Sequence, residues 1–201
     1  MNFLAHLWLA DQTSTSLAGA VLGDWLHGRI PEDYPAELKL GVALHRRVDS
    51  MTDSHPAIAH VREQFLPGQR RFAGILLDVV TDHLLVRQWD RFSDESLHDF
   101  TQRCAREVAS HGEWFEHAGG TSPDARDFQR LLLSYGSSEG IEHALKRTAQ
   151  RLSKPEGLLA ATAHWPAHAR TLEPRLPELL NDLSAAAMAF VRDAQTTAAD
   201  L

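Results

Sequence analysis

His6, Asp24, His45, Asp49, Asp53, Asp78, Asp82 and His83 all fall in the first 83 residues, and most interrupt runs that are otherwise apolar and helical. A charge inside a hydrophobic helix is costly unless a partner or a cation satisfies it. Imidazoles and carboxylates from four separate segments can converge on one divalent cation, which makes metal-assisted chemistry the leading reading. The competing reading pairs each acid with a nearby arginine and gives it no chemistry. Cys104 is the single cysteine, so an intrachain disulfide and a cysteine-rich zinc site are both excluded. The ligands must be imidazole and carboxylate, a set that suits Mn, Fe, Zn or Mg.

Spacing sharpens the candidates. Residues four apart on a helix lie nearly in line. Asp78 and Asp82 obey that spacing, and two like charges on one buried stripe are expected to flank a cation. His83 adjoins Asp82 and reaches the same place only from the side. His45, Asp49 and Asp53 form a second row, with Arg46 and Arg47 beside it. That mixture suits a phosphate ester: imidazole and carboxylate hold metal or move protons, and guanidinium forks onto phosphate oxygens. Its alternative is an Arg46–Asp49 ion pair on a solvated face. Asp24 follows Gly23 among Leu22, Trp25 and Leu26, where an unpaired carboxylate is expensive. His6 lies on the polar side of the first helix. A water acidified by a cation at such a cluster can attack phosphorus in line. No Ser-His-Asp arrangement, P-loop or dinucleotide glycine fingerprint is present. His164 and His168 also stand four apart, but Pro166 lies between them and no acid shares their face, so no site is expected there.

The elements that must position these groups are all read as helices. They run from Asn2 to about Ala10, Leu17 to His27 (capped from the Thr-Ser-Thr-Ser run at 13–16), Ala36 to Thr52, and Pro56 to a stop at Pro67-Gly68. A long helix is predicted from Gln69 to Phe92, then Ser96 to His111, Ser122-Pro123 to Tyr135, and Gly136 to Leu152. Pro155 and Pro166 break the next stretch, a last helix covers Pro177 to Ala194, and the Ala-Ala-Asp-Leu tail is expected to fray. No period-2 strand pattern persists and no repeat is found. The expectation is a single all-α domain over 1–201, a helical bundle.

Composition agrees. Of 201 residues, 43% are hydrophobic and 23% charged, as in a globular domain. The net charge of −7 argues against general nucleic-acid binding. Arg62, Arg70, Arg71, Arg87 and Arg91 fall in one stretch and are candidates for a local basic patch that an acidic protein would meet. No apolar run approaches the roughly 18 residues of a membrane span. The apolar start lacks the basic opening of a signal peptide, so the cytoplasm is the expected compartment.

The motifs also resemble a known family. Asn-Phe-Leu-Ala-His at 2–6, Gly23-Asp24, His45-Arg46-Arg47-Val48-Asp49 with Thr52-Asp53, and Leu77-Asp78-Val79 followed by Asp82-His83 resemble the acyl carrier protein phosphodiesterase family, in order and spacing, most strongly over residues 1 to about 92. The resemblance implies an Mn-dependent, all-helical enzyme, a divergent branch of the HD phosphohydrolase superfamily. Its reaction would hydrolyse the phosphodiester joining 4′-phosphopantetheine to a serine of holo acyl carrier protein. This chain has Asp82-His83 in reverse order and His45-Arg46 where a His-Asp pair would be sought, so ligands do not transfer from the superfamily pattern. The roles expected are a metal held by His6, Asp24, Asp78, Asp82 and His83, with Asp24 as ligand or as orienter of the attacking water. His45 and Arg46 would contact phosphate, Asp49 would orient one of them, and Asp53 would support the ligands from behind. Arg62, Arg70, Arg71, Arg87 and Arg91 would dock the acidic carrier protein. The alternatives are an HD-like hydrolase of nucleotides or small phosphate esters, and a non-enzymatic helical interaction module.

Overall fold

In the first helix, α1 (Phe3–Gln12), every residue from Leu4 to Ala10, His6 included, is buried in the computed structural model, which describes residues 1–199. A helix that is hydrophobic all round belongs in the interior. The others follow as α2 (Leu17–Leu22), α3 (Ala36–Ser54), α4 (Pro56–Arg62), α5 (Ala73–Arg87), α6 (Leu97–Ser110), α7 (Gly112–His117), α8 (Ala125–Ser134), α9 (Ser138–Ala149), α10 (Glu156–Thr162), α11 (Trp165–Leu172) and α12 (Leu176–Ala199). Among the described residues there is no strand. Helices α2, α3, α5 and α12 pack around α1, and the buried side chains form one continuous core from Met1 to Val191. No helix among the described residues is long and apolar enough to cross a membrane.

The all-helical expectation holds, and several boundaries move for local reasons. Helix α2 is capped by Ser16, whose Oγ accepts from Gly19 N–H at 3.0 Å, but it ends at Leu22 rather than His27, and residues 23–25 form a turn. The long helix expected over Gln69–Phe92 is α5 flanked by two 3-10 turns, Arg70–Phe72 and Trp89–Arg91. Helix α8 begins at Ala125 because the Asp124 carboxylate, not Ser122, accepts the first free N–H groups, from Arg126 and Asp127 at 2.9 Å. Ser137 caps α9 in the same way. The sequence reading placed no element over α7. Helix α12 begins one residue before Pro177 and runs past Ala194, to Ala199. Of the tail expected to fray, Asp200 and Leu201 lie outside the described residues.

Two glycine contacts set the geometry on which the site depends. Helices α2 and α3 touch backbone to backbone: a Cβ on Gly19 would lie 2.8 Å from the Leu38 carbonyl oxygen, and one on Gly41 would lie 2.9 Å from the Gly19 Cα. At Gly23 a Cβ would stand 2.2 Å from the His45 ring. Each distance is well inside van der Waals contact, so a side chain at these positions would push α2 and its following turn away from α3.

Candidate active site

Two helices bring a nitrogen–oxygen cluster together. His6 from α1 and His45 and Asp49 from α3 each offer a ligating atom, all within 4.8 Å of one another. The two imidazoles stack with centroids 3.9 Å apart, and both turn Nε2 toward the same carboxylate: His6 Nε2 lies 3.0 Å from Asp49 Oδ1 and His45 Nε2 lies 3.1 Å from Asp49 Oδ2. His45 Nδ1 donates to the Ala20 carbonyl at 2.7 Å, which fixes the ring and leaves Nε2 as its outward nitrogen. Asp24, in the turn after α2, places Oδ1 3.8 Å from His45 Nε2. Asp78, from α5, meets the Met1 ammonium at 3.1 Å, and Asp49 meets it at 2.8 Å.

The histidines form the back of the cluster and the acids its face. His6 and His45 side chains are 2% and 3% exposed, whereas Asp24, Asp49 and Asp78 keep 42%, 41% and 37% of their surface accessible. Burial and the adjacent charge of His45 push the His6 pKa down to about 3, so its ring is neutral near pH 7. Burial also opposes a charge on His45, but the Asp49 hydrogen bond and the charges of Asp49 and Asp24 raise its pKa. Burial would raise Asp49, yet the hydrogen bonds from His45 and His6 hold its carboxyl far below the usual range. Burial raises both Asp24 and Asp78. Although burial disfavours the Met1 ammonium, Asp78 and Asp49 hold it protonated to a pKa of about 11. Two imidazoles, one fixed through a backbone carbonyl, with adjoining carboxylates form a donor set that fits a divalent ion.

Asp24 and Asp78 open into a cleft of about 860 Å³. Met1, Asn2, Asp24 and Asp78 line one end, Phe3, Trp25 and Phe128 form an apolar wall, and Arg147 and Arg151 stand on the side built by α9 and the turn after it.

The structure corrects several sequence expectations. Asp82 does not flank a cation with Asp78. It is fully buried, and its two oxygens accept the Leu4 and Ala5 N–H groups at 2.8 and 3.0 Å. Asn2 gives α1 no side-chain cap, so Asp82 supplies one from α5, where the helix dipole favours an anion. His83 turns away: its Nδ1 donates to the Tyr135 carbonyl at 2.7 Å and its ring packs on Trp165. Arg46 clasps the chain after α2, donating to the carbonyls of Gly28 at 2.6 Å and Leu26 at 2.7 Å, so it braces the Asp24 turn instead of facing a phosphate. Asp53 is exposed and ion-paired to Arg62 at 2.8 Å, not set behind the ligands. Four of the five arginines expected to form one patch are divided between the two ends of α5, about 20 Å apart along its axis, and the fifth, Arg62, ends α4 and pairs with Asp53. Arg70 bonds the Glu63 carbonyl, Arg71 lies over the Phe72 ring, and Arg91 bonds Gln88, while Arg87 is exposed at the far end. His164 and His168 form no ligating cluster among the described residues, and His168 stacks on Phe65.

Two features escaped the sequence reading. One is the Met1 ammonium, which only the fold carries to Asp49. The other is the Arg147–Arg151 pair. It carried a signal: no acid stands three or four residues from either arginine, so neither has a local ion-pair partner.

The fold and site together define an all-helical protein in which buried histidines and accessible acids meet at the end of one cleft, an arrangement suited to hydrolysis. The chain belongs to the acyl carrier protein phosphodiesterase family, whose model matches residues 1–183. It is 42% identical over 112 residues to an acyl carrier protein phosphodiesterase of Yersinia pestis, a match taking in 55% of this chain and 58% of that protein. It is 33% identical over 186 residues to one of Escherichia coli O6:K15:H31 (strain 536 / UPEC), covering 87% of this chain and 91% of the relative. No solved structure matches the chain.

Proposed function

We propose that this protein is a divalent-metal-dependent phosphodiesterase that releases 4′-phosphopantetheine from the serine of holo acyl carrier protein, leaving apo carrier protein. The observation that carries the reading is the His6–His45–Asp49 donor cluster opening, through Asp24 and Asp78, into the cleft of a member of this family. His6, His45 and Asp49 would hold the cation, with Asp78 at its side. A bound divalent ion, for which Mn²⁺ is the candidate, would supply positive charge that acidifies a neighbouring water and draws electron density from phosphorus. The HD-like ancestry rests on the sequence resemblance alone.

The chain's own residues then have distinct tasks. Asp24 is accessible, and burial raises its pKa toward the range of an effective base, so it takes the proton of the attacking water. The water oxygen forms the new bond to phosphorus, the bond from phosphorus to the serine oxygen breaks, and Asp24 returns the proton to that oxygen as it leaves. The apolar wall of Phe3, Trp25 and Phe128 excludes water from the side of the cleft where the pantetheine arm would lie. Arg70 and Arg71, about 10 Å along the α5 axis from Asp78, are assigned to docking of the acidic carrier protein. Arg87 lies about 24 Å along the same axis from Arg71, on the opposite side of Asp78.

Incubation of the purified protein with holo carrier protein and Mn²⁺, followed by mass measurement of the carrier, should show loss of the phosphopantetheine mass. An unchanged carrier beside turnover of a nucleotide or small ester would assign the site to a different substrate. An unchanged carrier with no Mn²⁺-induced rise in Tm would reject the enzymatic reading.

A further inference from the structure

A phosphodiester carries a negative charge, and the cleft wall contains Asp24, Asp78, Asp124 and Asp127. Such an anion needs a compensating cation apart from whatever the histidines hold. The arginine that the sequence placed nearest the site, Arg46, is committed to two backbone carbonyls, and Arg47 is absent from the cleft lining. Arg147 and Arg151 are the two guanidinium groups in that lining. Neither makes a salt bridge or a side-chain hydrogen bond to any described residue. They lie four residues apart, Arg147 in the last turn of α9 and Arg151 in the turn that follows, and both reach the cleft lining.

We propose that Arg147 and Arg151 form the anion clamp of the cleft, gripping the phosphate oxygens of the substrate while its pantetheine arm lies along the Phe3–Trp25–Phe128 wall. This rests on the phosphodiesterase reading and assigns the phosphate recognition which that reading otherwise lacks. Tyr135 lines the same cleft as Arg147 and Asp24. Guanidinium suits the role because its planar fork meets two phosphate oxygens at once. The arginines are binding residues; bond cleavage remains with the cluster.

The test uses the full chain and three probes: inorganic phosphate, 4′-phosphopantetheine and pantetheine, with binding followed through the fluorescence of Trp25, which lines the cleft, and by calorimetry. The wild type should bind 4′-phosphopantetheine more tightly than pantetheine by about tenfold or more. Arg147→Gln with Arg151→Gln should abolish that difference and the binding of inorganic phosphate, and leave pantetheine affinity unchanged. Arg147→Lys should restore part of the phosphate affinity. With holo carrier protein the double variant should raise KM by about tenfold or more and change kcat little. Wild-type indifference to the phosphate group would overturn the clamp. So would a double variant that binds phosphate normally and loses only carrier-protein turnover, which would make the pair a protein-docking site. The underlying reading fails separately: if holo carrier protein is not cleaved but phosphate binding still depends on Arg147 and Arg151, the clamp stands and the substrate assignment falls.

Discussion

The two sides of the cleft are built in opposite ways. On the α1–α3–α5 side the functional groups sit on helices buried in the core, and each is held by something: His45 by the Ala20 carbonyl, His6 by Asp49, the α1 terminus by Asp82. On the α9 side the arginines stand on a helix with a buried stripe of Ile141, Leu145 and Ala149 and an exposed face, and nothing holds them. Groups that must keep fixed relative positions are placed where packing leaves one rotamer. Groups that meet a ligand of variable approach are left at a solvated edge. The difference also explains why the first side was conspicuous in the sequence: a charge among apolar residues is anomalous, while an arginine on a polar helix face is ordinary.

Breaking the rigid side should therefore cost most. Asp49→Ala removes the carboxylate that both imidazoles face, and is expected to abolish turnover together with the Mn²⁺-induced rise in Tm. Asp24→Ala should lower kcat by about 10²- to 10⁴-fold and retain the Tm rise. If both variants lose the Tm rise, Asp24 holds the cation and is not the base. Gly23→Ala drives a methyl into the carbon edge of the His45 ring and removes no functional group. It should cost about 10- to 100-fold in activity or metal affinity, while circular dichroism stays that of the wild type. Unchanged activity would show that the ring position is not critical.

Smaller effects sharpen the contrast through stability. Asp82→Ala strands two buried N–H groups at the start of α1 and should destabilise the fold by about 2–4 kcal/mol in urea titrations. Asp82→Asn should recover part of this because the amide oxygen still accepts. A result of no change would mean that the cap is dispensable and would reopen a site role for Asp82.

A pH dependence follows from His6. Its folded pKa of about 3 lies below the ordinary 6.5, so between those values the unfolded chain binds more protons than the folded one. The His6 contribution is complete above pH 6.5 and is lost as pH falls toward 3. Denaturant midpoints for wild type and His6→Gln across that window should converge at the acid end. Parallel curves would show that His6 does not set the slope.

The sequence by itself determined the helical class, the positions of most caps and breakers, and the identity of the ionisable residues that packing would have to satisfy. Periodicity, Ser and Pro signals and the cost of a buried charge are local properties, so they are readable one segment at a time. It could not apportion the charges. Asp78 and Asp82 share one face of α5 by spacing alone, yet one meets the Met1 ammonium and the other caps α1. His83 and Arg46 are of the right type and are spent on backbone carbonyls. Which partner a charge finds depends on which backbone lies within 3 Å of it, and that is decided by how helices distant in sequence cross. The same crossing brings Arg147 and Arg151, more than 120 residues from Asp24, to the cleft that Asp24 lines. No local pattern encodes that meeting.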